Sequence, residues 1–373
     1  MIYFDSGATT LEKPKAVRRA VASAIRDCAS PGRGGYEAAM HAAEMVYACR
    51  AEAAELFETE PEQVVFTMNA THGLNLAIHS LVHPGDRVVV SGFDHNSVVR
   101  PLYLTGAEVV VAGRKLFDPV DTLAAFDQAI TPQTKAVVCT HVSNVFGYVL
   151  PVEQIAALCH SRGVPFVLDA SQSAGVLPVK CSKLQPAFVA MPGHKSLYGP
   201  QGTGILLCTG PVAEPLMAGG TGSLSRQMQM PRELPDRLEA GTHNVAGICG
   251  LLEGIRFVRS VGTEEILARE QKITRFLAQQ LGQIPGIRVF ASEDAAQTGV
   301  LSVLVEGQDC EQTGQLLAER GIAVRAGLHC APVAHESADT LESGTVRISC
   351  SVFNTMHQAR KLVSAMRSIQ KMR

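Results

Sequence analysis

The sequence contains Phe188-Val189-Ala190-Met191-Pro192-Gly193-His194-Lys195, an apolar run that leads directly into a lysine. Six similar short apolar runs lie elsewhere in the chain, and amphipathic segments such as 152–162 separate them. This alternation is typical of parallel strands connected by helices. We therefore predict an open α/β sheet with helices on both faces. The predicted strands cover residues 64–67, 88–90, 109–111, 136–139, 166–168, 188–190 and 205–207.

A smaller second domain is predicted in the C-terminal part of the chain. The regular pattern stops over residues 217–237, which are rich in glycine, serine, methionine, glutamine and proline and therefore indicate a loop. Beyond it, helices are predicted over 250–261, 264–281, 312–320 and 356–369, and strands over 300–305 and 345–349. We expect an N-terminal segment (1–15) that joins the small domain, a large α/β domain (16–260) and a small α+β domain (261–373).

The composition argues against several classes of protein. The chain has 373 residues, of which 46% are hydrophobic, and this is enough for one large core and a smaller one. Its formal net charge of -2 gives no field that would hold nucleic acid or an anionic membrane, so a small-molecule substrate is favoured. No apolar run approaches the ~20 residues of a bilayer span, and the first residues lack the features of a signal peptide. We expect a cytoplasmic protein.

Cys330 is the candidate nucleophile among the ten cysteines. It lies in Gly327-Leu328-His329-Cys330-Ala331, close to Arg325. Only a thiolate is an effective nucleophile, so we expect Arg325 and His329 to favour ionisation of the thiol. The chain has no Cys-x-x-Cys pair, which argues against a disulfide framework. A zinc site at His329, Cys330 and His335 is rejected because no second cysteine pair completes four ligands, and no metal site is predicted.

Two reactive side chains are expected at neighbouring strand ends. The apolar run 164–168 ends at Asp169, and the run 188–191 leads to Lys195. In open α/β sheets the ligand crevice lies at the carboxyl ends of the strands. Taken alone, Asp169 could equally cap the next helix, and Lys195 would more often be a surface lysine. Together, an aspartate for a pyridinium nitrogen and a lysine for an aldehyde carbon are what pyridoxal phosphate requires of a protein.

Other segments can supply the remaining contacts of such a cofactor. Asn69-Ala70-Thr71-His72-Gly73 lies between a predicted strand and an apolar helix, whose N-terminus would bind a phosphate. His95 follows the strand at 88–90 and can lie flat on a pyridine ring or transfer protons, although most loop histidines have no such role. Gly199-Pro200-Gln201-Gly202-Thr203-Gly204 has its glycines in the wrong order for a dinucleotide motif and precedes a strand, so a nicotinamide enzyme is rejected.

These motifs together resemble a known family over nearly the whole chain. From Asp5-Ser6-Gly7-Ala8-Thr9-Thr10 to Arg347 and Asn354-Thr355, the sequence is similar to the fold-type I, class V pyridoxal-phosphate enzymes. Within them it resembles the cysteine desulfurase and selenocysteine lyase family, in the SufS-like group. The resemblance implies a mainly parallel seven-stranded sheet, in agreement with the seven predicted strands, and a homodimer.

The resemblance also implies roles for individual residues. Lys195 resembles the lysine that binds the cofactor covalently, His95 the histidine that stacks on its ring, and Cys330 the catalytic nucleophile. Asp169 resembles the partner of the ring nitrogen, and Gln172 the donor to the phenolic oxygen. The residues expected to bind the cofactor are Ala70, Thr71, His72, His95, Asp169, Gln172, His194, Lys195 and, from the other subunit, Thr242. The residues expected to bind the substrate are Ala8, Asn144, Arg325 and Arg347, the last by a fork onto the carboxylate.

The implied reaction converts L-cysteine to L-alanine. Its sulfur would pass to Cys330 as a persulfide and then to an acceptor protein, as in iron–sulfur cluster assembly. One alternative is a selenocysteine lyase that releases selenide and L-alanine on the same scaffold. A second is a catalytically retired subunit that docks a sulfur carrier, although the set of Lys195, Asp169 and Cys330 argues against it.

Three features depart from the commonest pattern of the family. Pro192 stands where many relatives have a serine that touches the phosphate, so that contact would be lost or rerouted. His72 stands where a glutamate is frequent. The loop 219–238 is shorter than in the best-known enzymes of the group and does not show their hairpin alternation clearly, so the resemblance does not identify the sulfur acceptor.

Overall fold

The structure is a computed structural model that describes residues 1–32, 34–210, 213–292 and 297–371. The predicted domain ranges also include residues 33, 211–212, 293–296 and 372–373, which lie outside this description. The strands are β1 (Ile2–Tyr3), β2 (Val64–Thr67), β3 (Arg87–Ser91), β4 (Glu108–Ala112), β5 (Thr134–Thr140), β6 (Phe166–Asp169), β7 (Phe188–Pro192), β8 (Gly204–Cys208), β9 (Ile287–Phe290), β10 (Val300–Val305), β11 (Ile322–Ala323), β12 (Arg325–Gly327) and β13 (Thr345–Ser349). The α-helices are α1 (Lys15–Asp27), α2 (Glu37–Phe57), α3 (Ala70–Leu81), α4 (Asn96–Thr105), α5 (Pro119–Ala129), α6 (Val152–Ser161), α7 (Cys181–Leu184), α8 (Val245–Val261), α9 (Thr263–Gly282), α10 (Cys310–Glu319), α11 (Pro332–Ser337) and α12 (Met356–Lys371).

The large sheet has seven strands in the order β2-β8-β7-β6-β5-β3-β4. All neighbours from β7 to β4 pair in parallel, whereas β8 runs antiparallel to both β7 and β2. The predicted mainly parallel seven-stranded sheet is confirmed. β8 reverses because only the segment 193–203, which has no helix, joins it to β7, and a parallel return usually needs a helical crossover.

Helices cover both faces of this sheet, as predicted. Val88 of β3 belongs to an apolar cluster on one face with Leu74 of α3. Its neighbour Val89 belongs to the cluster on the other face, with Phe57 of α2 and Leu251 of α8. Successive side chains of a strand point to opposite faces, so burial on both sides requires the uninterrupted apolar runs in the sequence.

A second sheet lies in the C-terminal part of the chain. Its four antiparallel strands have the order β12-β13-β10-β9, and helices α9, α10 and α12 share its apolar core. The N-terminal strand β1 pairs in parallel with β11, which brings Ile2 beside Ile322. The domain boundaries after residues 15 and 260 stay predictions.

Some elements differ from the sequence prediction. Helix α8 begins at Val245 rather than at residue 250, because Asn244 caps it by accepting a hydrogen bond from the Gly247 amide (3.0 Å). The strands β9 and β12 are short and were not predicted. Residues 217–237 contain no helix or strand, as expected. Among the helices of the described residues, none combines the length and the apolar character that crossing a bilayer requires.

Candidate active site

A cavity opens at the carboxyl ends of the strands. Its walls come from the segments after β2, β3, β5, β6 and β7, of which the last four lie next to one another in the sheet. The predicted site residues that line it are Ala70, Thr71, His95, Asn144, Asp169, Gln172, His194 and Lys195. The sheet therefore brings together side chains that are far apart in sequence.

Lys195 lies in the turn after β7, and neighbouring segments hold this turn closely. The Thr10 hydroxyl donates a hydrogen bond to the Lys195 carbonyl oxygen (3.1 Å). Gly175, whose φ is 92°, packs against the same turn. Only glycine fits there, because a Cβ at residue 175 would lie 2.2 Å from the Ser196 carbonyl oxygen. Burial lowers the pKa of Lys195 to about 8, against the opposing attraction of the Asp169 carboxylate. A substantial fraction of the amine is therefore unprotonated just above neutral pH.

Asp169 is the last residue of β6 and is buried. Its Oδ1 accepts a hydrogen bond from the Ser171 amide (2.9 Å), and the residue also lines the cavity. After β6, no helix begins before Cys181 in the described chain, so Asp169 caps a turn and not a helix. The carboxylate faces a cavity that also contains the Lys195 amine.

His95 is the N-cap of α4 and lines the same cavity. Its Nδ1 accepts a hydrogen bond from the Ser97 amide (3.0 Å) and lies 2.9 Å from the Ser97 hydroxyl. Burial lowers the pKa of His95 to about 4. The ring is therefore neutral near pH 7, with its hydrogen on Nε2, and it is suited to stacking or to donating one hydrogen bond.

The N-terminus of α3 lies at the wall of the cavity. Asn69 caps this 12-residue helix by accepting a hydrogen bond from the His72 amide (2.9 Å). The Thr71 hydroxyl lies 2.7 Å from that of Ser97. Gly204 allows β8 to approach closely, because a Cβ there would lie 2.8 Å from the Asn69 backbone. A helix N-terminus with two adjacent hydroxyls is suited to binding an anion such as phosphate.

A cluster of charged groups adjoins the cavity beside Asn144. Arg347 donates through Nη1 to the Asn144 carbonyl oxygen (3.0 Å) and through Nη2 to Asp5 Oδ1 (3.0 Å). Arg325 donates through Nη2 to the other oxygen of Asp5 (3.1 Å). Arg347 Nε and Asn144 Oδ1 are buried and have no hydrogen-bond partner in the described residues. A ligand that carries both a carboxylate and an ammonium group could satisfy this donor and this acceptor.

Cys330 is the only exposed cysteine of the ten, all of which lie in the described part of the chain. Its carbonyl oxygen accepts a hydrogen bond from the Asn96 amide at the start of α4 (2.8 Å). Cys330 and Arg100 line a surface groove together with His95, which also lines the Lys195 cavity. The thiol therefore lies beside the entrance to the site.

Several predicted residues make other contacts. The side chains of His72 and Thr242 line a separate pocket, and Thr242 is exposed there. The Ala8 amide donates to the Asp5 carbonyl oxygen (3.0 Å). Gln172 lines the cavity, but its amide group donates to the Gly7 carbonyl oxygen (2.9 Å). Within the described ranges, no group of three or more His, Cys, Asp or Glu side chains is arranged to hold a metal ion.

Sequence reasoning missed three residues of this site. Ser97 lines the cavity, and its only signal was its place in the first turn after His95. Lys13 donates to the His194 carbonyl oxygen (2.9 Å) next to Lys195, and burial lowers the pKa of Lys13 to about 8. Asp5 joins two arginines from the opposite end of the chain, a contact that no local pattern could reveal.

Fold and cavity together define an α/β enzyme with the architecture of the fold-type I class. The sequence pattern of the family Aminotransferase class-V matches residues 2–362. The chain belongs to this family, which implies pyridoxal phosphate as its cofactor.

Proteins similar to this chain over nearly its whole length have a consistent description. A probable cysteine desulfurase of Xylella fastidiosa is 32% identical over 100% of this chain and 91% of its own length. A probable cysteine desulfurase of Mycolicibacterium paratuberculosis is also 32% identical over 99% of this chain, which spans only 55% of that relative. The apo structure of a cysteine desulfurase from Thermococcus onnurineus matches with a TM-score of 0.91 and 29% identity, covering 100% of this chain and 95% of that one.

Proposed function

We propose that this protein is a pyridoxal-phosphate-dependent cysteine desulfurase, which converts L-cysteine to L-alanine and transfers the sulfur to Cys330 as a persulfide. One observation carries the proposal. The single exposed thiol of the chain shares a groove with His95, and His95 also lines the cavity that contains Lys195. An amine suited to binding the cofactor and a thiol suited to receiving sulfur thus lie at one entrance. The descriptions of the full-length relatives agree with this reaction.

The residues of the cavity fit the cofactor. Lys195 would bind it covalently, Asp169 would pair with its ring nitrogen, and the neutral His95 would stack on the ring. Thr71, Ser97 and the N-terminus of α3 would hold the phosphate, and the Ser97 hydroxyl would supply a contact in place of the serine that Pro192 replaces. When bound, pyridoxal phosphate supplies an electron sink that makes the Cα proton of an attached amino acid removable.

The protein's own groups would bind the substrate and move its protons. Arg347 would hold the carboxylate of L-cysteine through its unpartnered Nε, and Asn144 Oδ1 would accept from the ammonium group before it reacts. Lys195 would remove the Cα proton, since burial lowers the pKa of Lys195 to about 8 and leaves much of the amine able to act as a base.

The sulfur step would take place at Cys330. Its thiolate would attack the sulfur of the substrate, so that an Sγ–S bond forms while the Cβ–S bond breaks. The electron pair of the broken bond stays with the carbon fragment, which takes up a proton at Cβ and leaves as L-alanine. The exposure of Cys330 then allows a thiol of an acceptor protein to attack the outer sulfur.

We also propose that the protein forms a homodimer. Thr242 is exposed and lies outside the Lys195 cavity of its own chain, which is consistent with a predicted role in the cavity of a second subunit. There it would add a hydroxyl to the phosphate site. Analytical ultracentrifugation of the wild type and of Thr242→Tyr would test this assignment, because a bulky side chain at the contact should weaken both association and cofactor binding.

Mass spectrometry tests the central proposal. The purified protein is incubated with L-cysteine, digested without reductant and searched for a peptide that carries one extra sulfur atom, while L-alanine is measured in the supernatant. We expect the sulfur on the peptide that contains Cys330 and a matching formation of alanine. Alanine without sulfur on Cys330, or a strong preference for L-selenocysteine that does not need Cys330, would favour the lyase alternative.

A further inference from the structure

A chain of buried side chains runs beneath the loop that carries Cys330. His335 Nδ1 lies 2.7 Å from the Thr340 hydroxyl, and His335 Nε2 lies 3.4 Å from His329 Nδ1. His329 Nε2 lies 3.2 Å from the Arg325 carbonyl oxygen. Thr340, His335 and His329 are all buried. This chain, which we call the histidine relay, links β12, the Cys330 loop, α11 and the turn after α11.

One arrangement of hydrogens satisfies all three contacts of the histidine relay. The Arg325 carbonyl can only accept, so His329 Nε2 carries a hydrogen. Burial lowers the pKa of His329 to about 3 and that of His335 to about 4, so both rings are neutral near pH 7 and each has one N–H. His329 Nδ1 is therefore an acceptor, and His335 Nε2 donates to it. His335 Nδ1 then accepts from the Thr340 hydroxyl.

The loop above the histidine relay has a strained backbone. His329 and Cys330 are consecutive residues with φ of 52° and 54°, in the left-handed region that side chains other than glycine disfavour. Two hydrogen bonds hold the loop from the side of the cavity. Asn144 Nδ2 donates to the His329 carbonyl oxygen (2.8 Å), and the Asn96 amide donates to the Cys330 carbonyl oxygen (2.8 Å). The histidine relay holds the same loop from within.

We propose that His329 is a positioning residue for Cys330 and that the hydrogen bonds from Thr340 through His335 fix its orientation. The inference rests on the proposed function, in which the Cys330 thiolate attacks the substrate's sulfur. Such an attack needs close alignment of the reacting atoms, so a loosened loop slows the transfer. Lys195 and Asp169 lie outside the histidine relay, so attachment of the cofactor is expected to change little.

The test compares two substitutions at one buried position. Thr340→Val removes the hydroxyl donor with almost no change in volume, whereas Thr340→Ser keeps it. Thr313→Val is the matched control, because Thr313 is equally buried but its hydroxyl donates to the carbonyl oxygen of Asp309, the N-cap of α10, and not to the histidine relay. For each holoenzyme, kcat and KM for L-cysteine are measured, together with amide hydrogen exchange of the peptide that covers residues 327–331.

With Thr340→Val we expect kcat to fall roughly fivefold, as for the loss of one buried hydrogen bond, with a smaller change in KM. Exchange in residues 327–331 should become faster, and Thr340→Ser should restore both values. The proposal fails if Thr340→Val leaves exchange unchanged, if Thr340→Ser is as impaired as Thr340→Val, or if Thr313→Val has the same effect. If the wild type has no desulfurase activity, the proposed function fails, and hydrogen exchange alone still decides the role of the histidine relay.

A second pair of variants covers the case in which Thr340→Val does not fold. His335→Gln keeps one acceptor and one donor, whereas His335→Leu keeps neither. We expect exchange in residues 327–331 to rise from the wild type through His335→Gln to His335→Leu. Equal exchange in all three proteins would overturn the assignment.

Discussion

Asp5 and Arg347 form an ion pair of 3.0 Å between residues 342 positions apart in sequence. Both side chains are largely buried, with exposed fractions of 12% for Asp5 and 3% for Arg347. Asp5 also binds Arg325, so one carboxylate serves two guanidinium groups and leaves one positive charge in excess. A substrate with a single carboxylate would balance that charge.

Replacing Asp5 by Asn should destabilise the protein. Arg347 would remain buried without its counter-charge, and we expect the free energy of unfolding to fall by roughly 3 kcal/mol. Urea denaturation of the wild type and the variant measures this change. Asp27→Asn, which breaks the exposed pair with Arg26, is the control and should have little effect. Similar losses in the two variants would contradict the structural importance of Asp5.

The reactivity of Lys195 should depend on pH in a way that differs from ordinary lysines. Burial lowers the pKa of Lys195 from its usual 10.5 to about 8, so the unprotonated, nucleophilic fraction rises as pH increases through about 8. Covalent attachment of pyridoxal phosphate to the apoprotein should therefore accelerate up to that pH and then level off. Stopped-flow absorbance measures the rate. Lys195→Ala should abolish this attachment, whereas Lys183→Ala, at an exposed position, should not affect it. An attachment rate that still increases towards pH 10 would contradict the lowered pKa of Lys195.

Cys330→Ser should separate cofactor binding from sulfur transfer. A hydroxyl cannot form a persulfide, so alanine formation from L-cysteine should fall by at least a hundredfold, on the scale of a lost nucleophile. The visible absorbance of the bound cofactor should survive, because Cys330 does not line the Lys195 cavity. Cys28→Ser, at the half-buried end of α1, is the matched control. Turnover like that of the wild type in Cys330→Ser would remove Cys330 from the mechanism.

Gly204→Ala should weaken cofactor binding through the phosphate site. The added Cβ would lie 2.7 Å from the Thr67 hydroxyl and 2.8 Å from the Asn69 backbone, so the start of α3 must move. We expect roughly tenfold weaker binding of pyridoxal phosphate to the apoprotein, in line with the cost of overpacking. Fluorescence titration measures the affinity. Gly282→Ala adds a methyl group where nothing lies within 4 Å and should leave the affinity unchanged.

The large sheet could be predicted because each of its strands has a local signal in the sequence. Each strand buried on both faces must be an apolar run, as in 136–139 or 166–168, and polar residues at the carboxyl ends of such runs must meet in one crevice. Lys195, Asp169 and His95 followed from that rule, and the structure places all three at the same cavity. Their individual roles stay predictions until the variants have been measured.

The rest of the site depends on contacts between distant segments. Nothing near Asp5 indicates that it binds Arg347, and nothing in 325–340 indicates which atoms of His329 and His335 meet. The local sequence also does not indicate which cavity a side chain will line. The sequence predicts His72 at the cofactor because it lies beside Thr71, yet His72 lines a separate pocket and not the Lys195 cavity.

The pairing of β1 with β11 has a consequence for biosynthesis. Ile2 leaves the ribosome long before its partner Ile322, so β1 cannot pair with β11 until most of the chain has been synthesised. A nascent chain therefore has neither a finished pocket nor a strained, outward-facing thiol. The cavity and the Cys330 loop can be completed only after β13, which carries Arg347, has been synthesised.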